Sequence, residues 1–411
     1  MSPPSAQPPR RALVLLVLLY LAQGMPFGLQ SVALPVLLRQ RGASLEQIGL
    51  AGALALPWLF KVLWAPAVDR WGTRWRWVAA MQAALAAISA AAAVSIAADG
   101  LDIAVLAWTV LALNFAAATQ DIAVDGLAVH LLGKSGLGWG NAAQVVGYKA
   151  GMIVGGGVLV WASASLGWPA VFVVLAVTYA VLFVFTVVFA PQTAGQAAAQ
   201  SILSLREVTR ALAGELRQPG ALATVAIITL YKSGETVVTT MFKPFLVDRG
   251  FSAAQIGQWV GVYGMIASVV GSIAGGWWVQ RKGPLDALVA VVWLRALSMG
   301  GEVALAALDP GPAAVISATC LEHLFGGALT TAMFAWMMAR VDPKVAGSHY
   351  TLLASLEVLG KMPAGWASGW LTAHSSYFAV FSSGMALSLA YAVALPWLQR
   401  RAGPGRGAAA S

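Results

Sequence analysis

The sequence predicts an all-α integral membrane protein whose twelve transmembrane helices form two related six-helix bundles. Composition is the first observation, because 59% of the 411 residues are hydrophobic and only 10% are charged, whereas soluble globular proteins carry about 25% charged residues. The second observation is a series of twelve apolar segments of about 20 residues, the length an α-helix needs to cross a bilayer. The third is an internal repeat that relates the two halves of the chain.

The apolar segments define the predicted helices and the loops between them. The predicted spans are 12–33, 45–66, 76–98, 101–124, 140–163, 168–190, 220–242, 254–279, 285–308, 312–339, 347–372 and 376–398. They divide the chain into an N-terminal tail 1–11, a first bundle 12–190, a connector 191–219, a second bundle 220–398 and a C-terminal tail 399–411. The first span lacks an obvious small-residue cleavage site, so we expect a retained helix rather than a signal peptide.

The distribution of basic residues sets the predicted orientation. Most lysines and arginines outside the spans fall in alternate loops on the side of the N-terminus, and only Arg39, Arg41, Lys243 and Arg249 fall on the other side. Since basic loops stay in the cytoplasm, both termini are expected there, in the inner membrane of a bacterial host. The connector spaces apolar and basic residues as a short amphipathic helix on the membrane surface does.

Two sequence repeats relate the halves. Residues 41–49 read RGASLEQIG and precede the second span, while residues 249–257 read RGFSAAQIG and precede the eighth. Likewise, residues 144–147 (QVVG) in the fifth span resemble residues 357–360 (EVLG) in the eleventh. Both matches lie six spans apart, as expected for parallel six-helix repeats.

A loop motif adds a resemblance to a known family. Residues 64–72 read WAPAVDRWG after the second span and resemble the G-x-L-a-D-r-x-G-R signature of the major facilitator superfamily. Residues 275–283 (GGWWVQRKG) are the counterpart in the second half. The resemblance implies the major facilitator fold, and it implies that Asp69 and Arg70 are gating residues that cap helix ends and latch the cytoplasmic gate.

Three further stretches resemble the AmpG-like branch of that superfamily: residues 19–28 (LYLAQGMPFG), 56–66 (LPWLFKVLWAP) and 118–125 (ATQDIAVD). The branch includes AmpG muropeptide permeases, RhtX/FptX-type siderophore permeases and acetyl-CoA transporters. AmpG proteins are larger and carry two further C-terminal spans, whereas twelve spans are predicted here. The resemblance therefore leaves an anhydromuropeptide and a siderophore open as the solute.

An acidic turn at the end of the fourth span is the predicted functional centre. Asp121 and Asp125 are four residues apart, which stacks them on one face of a helix. Ionised groups at membrane depth are costly and mark pathways or proton relays. We expect these aspartates to couple transport to protons and the adjacent Gln120 to bind solute. The alternative is that they form structural ion pairs in a cytoplasmic mouth.

Other charged and polar residues inside the spans are candidates for solute binding. Lys61, Lys149 and Lys361 are candidate anchors for carboxylates of the solute, with structural ion pairing as the alternative for each. Gln23, just before residues 24–26 (GMP), is a candidate hydrogen-bonding residue. The helical spacing also allows neutralising pairs, namely Lys232 with Glu235, Arg295 with Glu302, and Glu357 with Lys361.

Glu322 and His323 in the tenth span form a second candidate proton-coupling site, because a histidine titrates near neutral pH. The alternative is that Glu322 is a buried structural carboxylate paired with Lys361 or Arg295. No metal site or other cofactor is expected, because the four histidines and the single cysteine lack ligand spacing.

Together these features predict a secondary active transporter that imports a bulky polar solute with protons. Its expected partners are that solute, protons and the lipid bilayer, without nucleic acid, and it is expected to be monomeric. A drug/proton antiporter that exports small molecules is the alternative within the same fold. A membrane-embedded enzyme would need a catalytic cluster, and a sensor would need a soluble output domain; neither is apparent in the sequence.

Overall fold

The computed structural model describes residues 10–100, 102–132, 137–189, 219–308, 311–340 and 346–403, and every regular element within these ranges is helical. The α-helices are α1 (Arg10–Gly28), α2 (Leu34–Gln40), α3 (Leu45–Leu50), α4 (Leu56–Phe60), α5 (Ala65–Arg70), α6 (Arg74–Asp99), α7 (Ile103–Leu132), α8 (Leu137–Met152), α9 (Leu159–Phe189), α10 (Ala221–Leu230), α11 (Ser233–Asp248), α12 (Ala253–Ile256), α13 (Met265–Lys282), α14 (Pro284–Ser298), α15 (Gly300–Ala307), α16 (Pro312–Arg340), α17 (Ala346–His374) and α18 (Tyr377–Ala402). Helices suit an apolar chain, since they satisfy their own backbone hydrogen bonds where lipid offers no partner.

Nine stretches of the described residues are long and apolar enough to cross a membrane. They are Arg11–Gln40, Arg74–Ala98, Ile103–Leu127, Gln144–Phe189, Ala221–Asp248, Ala253–Lys282, Pro284–Ala307, Pro312–Arg340 and Tyr377–Ala402. The stretch Gln144–Phe189 has 46 residues and holds two predicted spans, because the chain bends at Gly167 (φ 76°) before Pro169. The remaining two predicted spans correspond to the short helices between residues 45 and 70 and to α17.

The second predicted span, 45–66, is broken into short pieces rather than forming one helix. Tighter 3₁₀ turns at Ala51–Ala55 and Lys61–Leu63 separate α3, α4 and α5. Pro57 and Pro66 lie in the first turns of α4 and α5, where the missing proline N–H breaks the ladder of helix hydrogen bonds. Such a break at membrane depth needs protein rather than lipid around it.

The chain forms two compact units, and the first contains Lys61, Asp121 and Asp125. It comprises Met1–Leu37, Leu54–Ile202 and Ser252–Gly261. Glycine permits very close helix approach within it: a Cβ added to Gly151 of α8 would lie 2.2 Å from the Leu21 carbonyl oxygen of α1. Small residues of this kind let transmembrane helices pack backbone to backbone.

The second unit comprises Leu38–Ala53, Leu203–Phe251 and Val262–Ser411. Within it, α3 packs against α17, where a Cβ on Gly369 would lie 2.3 Å from the Leu45 carbonyl oxygen. The Arg39 guanidinium donates to both carboxylate oxygens of Asp248, at 2.5 and 2.7 Å. The Tyr377 hydroxyl donates to the same carboxylate at 2.7 Å.

The two repeated nonapeptides begin their helices in the same way. The Ser44 hydroxyl accepts from the Gln47 N–H, and the Gln47 side chain accepts from the Ser44 N–H. Ser252 and Gln255 make the same pair of bonds at the start of α12. Each is a capping box, so the sequence repeat corresponds to a repeated local structure.

Candidate functional site

The acidic turn of α7 holds a charged cluster in the first unit. The Lys61 ammonium contacts the Asp121 carboxylate, and the Tyr20 hydroxyl donates to Asp125 Oδ1 at 3.0 Å. Asp121 is only 5% exposed, while the Lys61 side chain is 28% exposed. The two aspartates lie one helical turn apart on α7, as their spacing predicted, and one lysine and one tyrosine meet them from other helices.

The broken second span positions Lys61. Lys61 begins the 3₁₀ turn after α4, and tryptophans on either side anchor this segment to α7. The Trp58 indole N–H donates to Asn114 Oδ1 at 2.9 Å, and the Trp64 indole N–H donates to Thr119 Oγ1 at 3.1 Å. Both bonds hold the turn against α7, so the Lys61 side chain can reach Asp121.

Gln23 and Gln120, the predicted hydrogen-bonding residues, are completely buried in the first unit. Neither side-chain polar atom of Gln23 has a hydrogen-bond partner in the described part of the chain. Gln120 donates weakly from Nε2 to the Leu19 carbonyl at 3.4 Å, and its Oε1 is unbonded there. Buried amides without partners are costly, so a rearrangement or a bound water that satisfies them would be favourable.

The remaining first-unit candidates are only partly described. Lys149 lies half-buried near the end of α8, next to Tyr148, whose ring packs against Phe27 with a centroid distance of 5.8 Å. Asp69 and Arg70 end α5, and their side chains lie outside the described part of the structure.

A second charged cluster lies in the second unit around Arg295, which is 2% exposed. Its Nε donates to Glu235 Oε2 at 3.1 Å, and its NH2 nitrogen donates to Glu322 Oε1 at 2.6 Å. Lys232 lies 3.8 Å from the other oxygen of Glu235. Arg295 therefore joins α14 to α11 and α16 through the partly buried carboxylate of Glu235 and the buried carboxylate of Glu322.

Arg295 and Glu302, which both lie in the described part of the chain, do not form the ion pair that their helical spacing predicted. A helix break at Met299 separates them, and Glu302 is 1% exposed with an unbonded Oε2. Of the two partners proposed for Glu322, the structure has Arg295. The three-dimensional packing of α11 and α16 against α14 decides this choice.

The predicted pair Glu322 and His323 is in direct contact, because His323 Nδ1 contacts Glu322 Oε2. The same nitrogen lies 3.0 Å from the Thr319 carbonyl oxygen. Across the helix interface, a Cβ added to Gly264 would lie 2.9 Å from the His323 ring. The imidazole is thus held beside a carboxylate, between its own helix and a glycine of the segment Gly257–Gly264 that lies between α12 and α13.

Lys361 is paired as its helical spacing predicted. Its ammonium donates to Glu357 Oε1 at 2.6 Å, and the Tyr231 hydroxyl donates to the same oxygen at 2.8 Å. Glu357 is 4% exposed, whereas the Lys361 side chain is 31% exposed. The carboxylate is thus fixed in the protein while the ammonium retains an open side.

The Lys61–Asp121 pair and the Lys361–Glu357 pair have one feature in common: a partly exposed lysine is paired with a buried carboxylate. Such a lysine can exchange its protein partner for an anionic ligand, which leaves the buried carboxylate without its cation. The tyrosines that complete the clusters, Tyr20 and Tyr231, come from distant parts of the sequence. No local pattern could have identified them as partners of Asp125 and Glu357.

Among the described residues, no group of three or more histidine, cysteine, aspartate or glutamate side chains is arranged to hold a metal ion.

Comparison with known proteins gives matches over most of the chain. A sequence model described as Major Facilitator Superfamily matches residues 16–360. The anhydromuropeptide permease of Escherichia coli (strain K12) is 29% identical over 390 residues, which cover 93% of this chain and 78% of that protein.

Solved structures resemble the chain in fold. The nucleoside transporter NupG superposes with a TM-score of 0.73 at 14% identity, covering 94% of this chain and 98% of that chain. A bacterial homologue of the human lysosomal transporter Spinster, in an inward-facing and occupied conformation, gives a TM-score of 0.73 at 12% identity, covering 95% and 97%.

Proposed function

Because the chain belongs to the major facilitator superfamily, we propose that this multi-pass transporter imports an anhydromuropeptide together with protons. The observation that carries the proposal is the contact of Lys61 with the buried Asp121 in the first unit. The choice of solute rests on the E. coli anhydromuropeptide permease, which matches 93% of this chain. A siderophore remains the alternative cargo for the test below.

Solute binding and proton binding are coupled through Lys61. A carboxylate of the solute competes with Asp121 for the lysine ammonium, which is the more exposed partner. Once it loses its cation, the buried Asp121 carboxylate carries an uncompensated charge at membrane depth, which is costly, and a proton compensates that charge in place of the lysine. A bound proton therefore strengthens solute binding, and by linkage bound solute strengthens proton binding.

Asp125 supports this exchange from the next turn of α7. The Tyr20 hydroxyl donates a hydrogen bond to Asp125, which stabilises the ionised carboxylate, whereas Asp121 is paired with Lys61. The two aspartates therefore differ in their partners although they share a helix face. Protonation of either one leaves a single negative charge opposite Lys61. We assign proton coupling to this pair, and to Glu322 with His323 as a second proton-binding pair.

The remaining residue roles are proposed on the same basis. Lys361 anchors a second anionic group, since its ammonium is half-exposed beside Glu357, and Lys149 contributes a further cationic contact. Gln23 and Gln120 meet the solute only after helix movement, because both are buried in the present arrangement. Asp69 and Arg70 latch the cytoplasmic gate.

The protein acts as a monomeric permease of the inner membrane, without enzymatic activity, and both of its termini are cytoplasmic. Its functional bundles are residues 12–190 and 220–398, joined by the cytoplasmic connector 191–219. Protons, the solute and the lipid bilayer are its partners.

The test is uptake into proteoliposomes that contain the purified protein. Labelled anhydromuropeptide is expected to accumulate when the outside is acidic, and an uncoupler is expected to abolish accumulation. Asp121→Asn is expected to lose accumulation while it retains exchange of labelled for unlabelled solute without a gradient, because a neutral amide mimics the protonated carboxylate. Asp286→Asn, which changes an exposed aspartate in the first turn of α14, is the matched control.

The outcomes separate the alternatives. Accumulation of a ferric siderophore instead would change the cargo and keep the coupling mechanism. Solute efflux driven by an inward proton gradient would indicate an antiporter. Wild-type accumulation that Asp121→Asn preserves in full would show that the acidic turn does not couple transport to protons.

A further inference from the structure

Lys243 lies inside a transmembrane helix, although the sequence placed it in an outer loop. It belongs to α11 and to the apolar stretch Ala221–Asp248, five residues before the end of the helix. Five residues correspond to about 7 Å along an α-helix. Its side chain is half-buried, and the residue lies inside the membrane-spanning stretch rather than beyond its end.

This ammonium lacks a counter-ion among the described residues. Its only hydrogen bond there is to the Thr239 carbonyl oxygen of its own helix, at 2.9 Å, and no carboxylate comes within 4.0 Å. A lysine ammonium has three donors, so two of them remain to be used. A charge at membrane depth without a partner is costly and is by default a sign of function.

Three other lysines of the spans have carboxylate partners. Lys61 contacts Asp121, Lys232 lies 3.8 Å from Glu235, and Lys361 lies 2.6 Å from Glu357. An anionic ligand must break an ion pair to reach Lys61 or Lys361. Lys243 can accept an anion without that cost, which makes it better prepared for binding than either.

The two carboxylates that interact electrostatically with Lys243, those of Glu235 and Glu322, already have other partners. Both accept hydrogen bonds from Arg295. Glu322 also contacts His323. The positive charge of Arg295 therefore already compensates both carboxylates.

The face of α11 that carries Lys243 is polar. Thr236 and Thr240 lie seven and three residues before it, which places all three on one side of the helix. The Thr240 hydroxyl donates to the Thr236 carbonyl oxygen at 2.7 Å, and its lone pairs remain able to accept a bond. A polar ligand on this face would meet a cation and hydroxyl groups together.

We infer that Lys243 binds a carboxylate of the transported solute. The inference rests on the proposed function, and it extends that function by adding a cationic contact in the second unit that needs no ion pair to be broken. The geometry specifies a compact anionic group, since a single ammonium acts as a point charge. A peptide carboxylate of an anhydromuropeptide has this chemistry.

The test compares two labelled probes in proteoliposomes: an anhydromuropeptide with free peptide carboxylates, and the same compound with those carboxylates converted to amides. Lys243→Gln is expected to raise the KM for the free acid at least tenfold and to leave the KM for the amide unchanged. Lys243→Arg is expected to retain most of the affinity, because the positive charge remains. Lys282→Gln, which removes an exposed lysine at the end of α13, is the matched control.

Thermal unfolding of the purified protein separates binding from a structural role. Without solute, Lys243→Gln should unfold at the same temperature as the wild type; with the free acid, it should lose the rise in midpoint that the wild type shows. An equal loss of affinity for both probes, an unchanged KM, or a lower midpoint without solute would overturn the inference. If the wild type transports neither probe, the proposed function itself fails.

Discussion

Removing the guanidinium of Arg295 should strongly destabilise the second unit. Arg295→Met keeps an apolar stem of similar length but leaves Glu235 and Glu322 without the donors that now lie 3.1 and 2.6 Å away. Loss of one partner from a buried ionic group costs about 3–5 kcal/mol, because an uncompensated charge stays buried. We expect a loss of this size in the free energy of unfolding, measured by thermal or denaturant unfolding of the detergent-purified protein.

A rescue experiment tests the reason for that loss. Adding Glu235→Gln and Glu322→Gln to Arg295→Met removes both buried charges, so most of the lost stability should return. Arg281→Gln is the matched control, since the Arg281 guanidinium lies 4.5 Å from the Trp277 ring at an exposed position, and such a contact is worth about 0.5–1 kcal/mol. If Arg295→Met is no less stable than the control, the cluster does not have the structural importance assigned to it.

Two further predictions concern the first unit. Gly151→Ala should lower the thermal unfolding midpoint and reduce uptake, because the added Cβ would lie 2.2 Å from the Leu21 carbonyl oxygen and would force α1 and α8 apart. Gly311→Ala, where a Cβ meets nothing within 4 Å, should change neither the midpoint nor uptake. Equal effects of the two substitutions would refute the packing argument. Tyr20→Phe should move the half-maximal pH of proton-driven uptake upward, because it removes the hydrogen bond to Asp125 at 3.0 Å that favours the ionised carboxylate; a pH profile identical to that of the wild type would contradict this role.

The spans and the repeat could be read from the sequence. Apolar segments of about 20 residues predict helices, because in lipid every backbone group must bond within its own segment. The repeated nonapeptides at 41–49 and 249–257 did correspond to equal capping boxes. The loop motif at 64–72 likewise predicted the family that matches residues 16–360.

Boundaries and continuity were less predictable. The span expected at 45–66 is broken at two 3₁₀ turns, and the span expected to end at 242 continues to Asp248. Hydropathy averages over a window, so it cannot resolve a proline break or a lysine that continues a helix. For this reason the sequence prediction assigned Lys243 to a loop, whereas the structure has it within a span.

The identity of the charged residues, and the helix face of Asp121 and Asp125, followed from the sequence alone, because helical spacing is a local property. Their partners did not. Lys61 reaches Asp121 across 60 positions, and Arg295 is bonded to Glu235 and Glu322 rather than to Glu302. The strength of an ion pair depends on distances between helices and on burial, and both are set only when the helices pack. The sequence alone therefore determined most of the charges that enter the membrane, with Lys243 as the exception. The tertiary structure decided which of them neutralise one another and which, like Lys243, remain available.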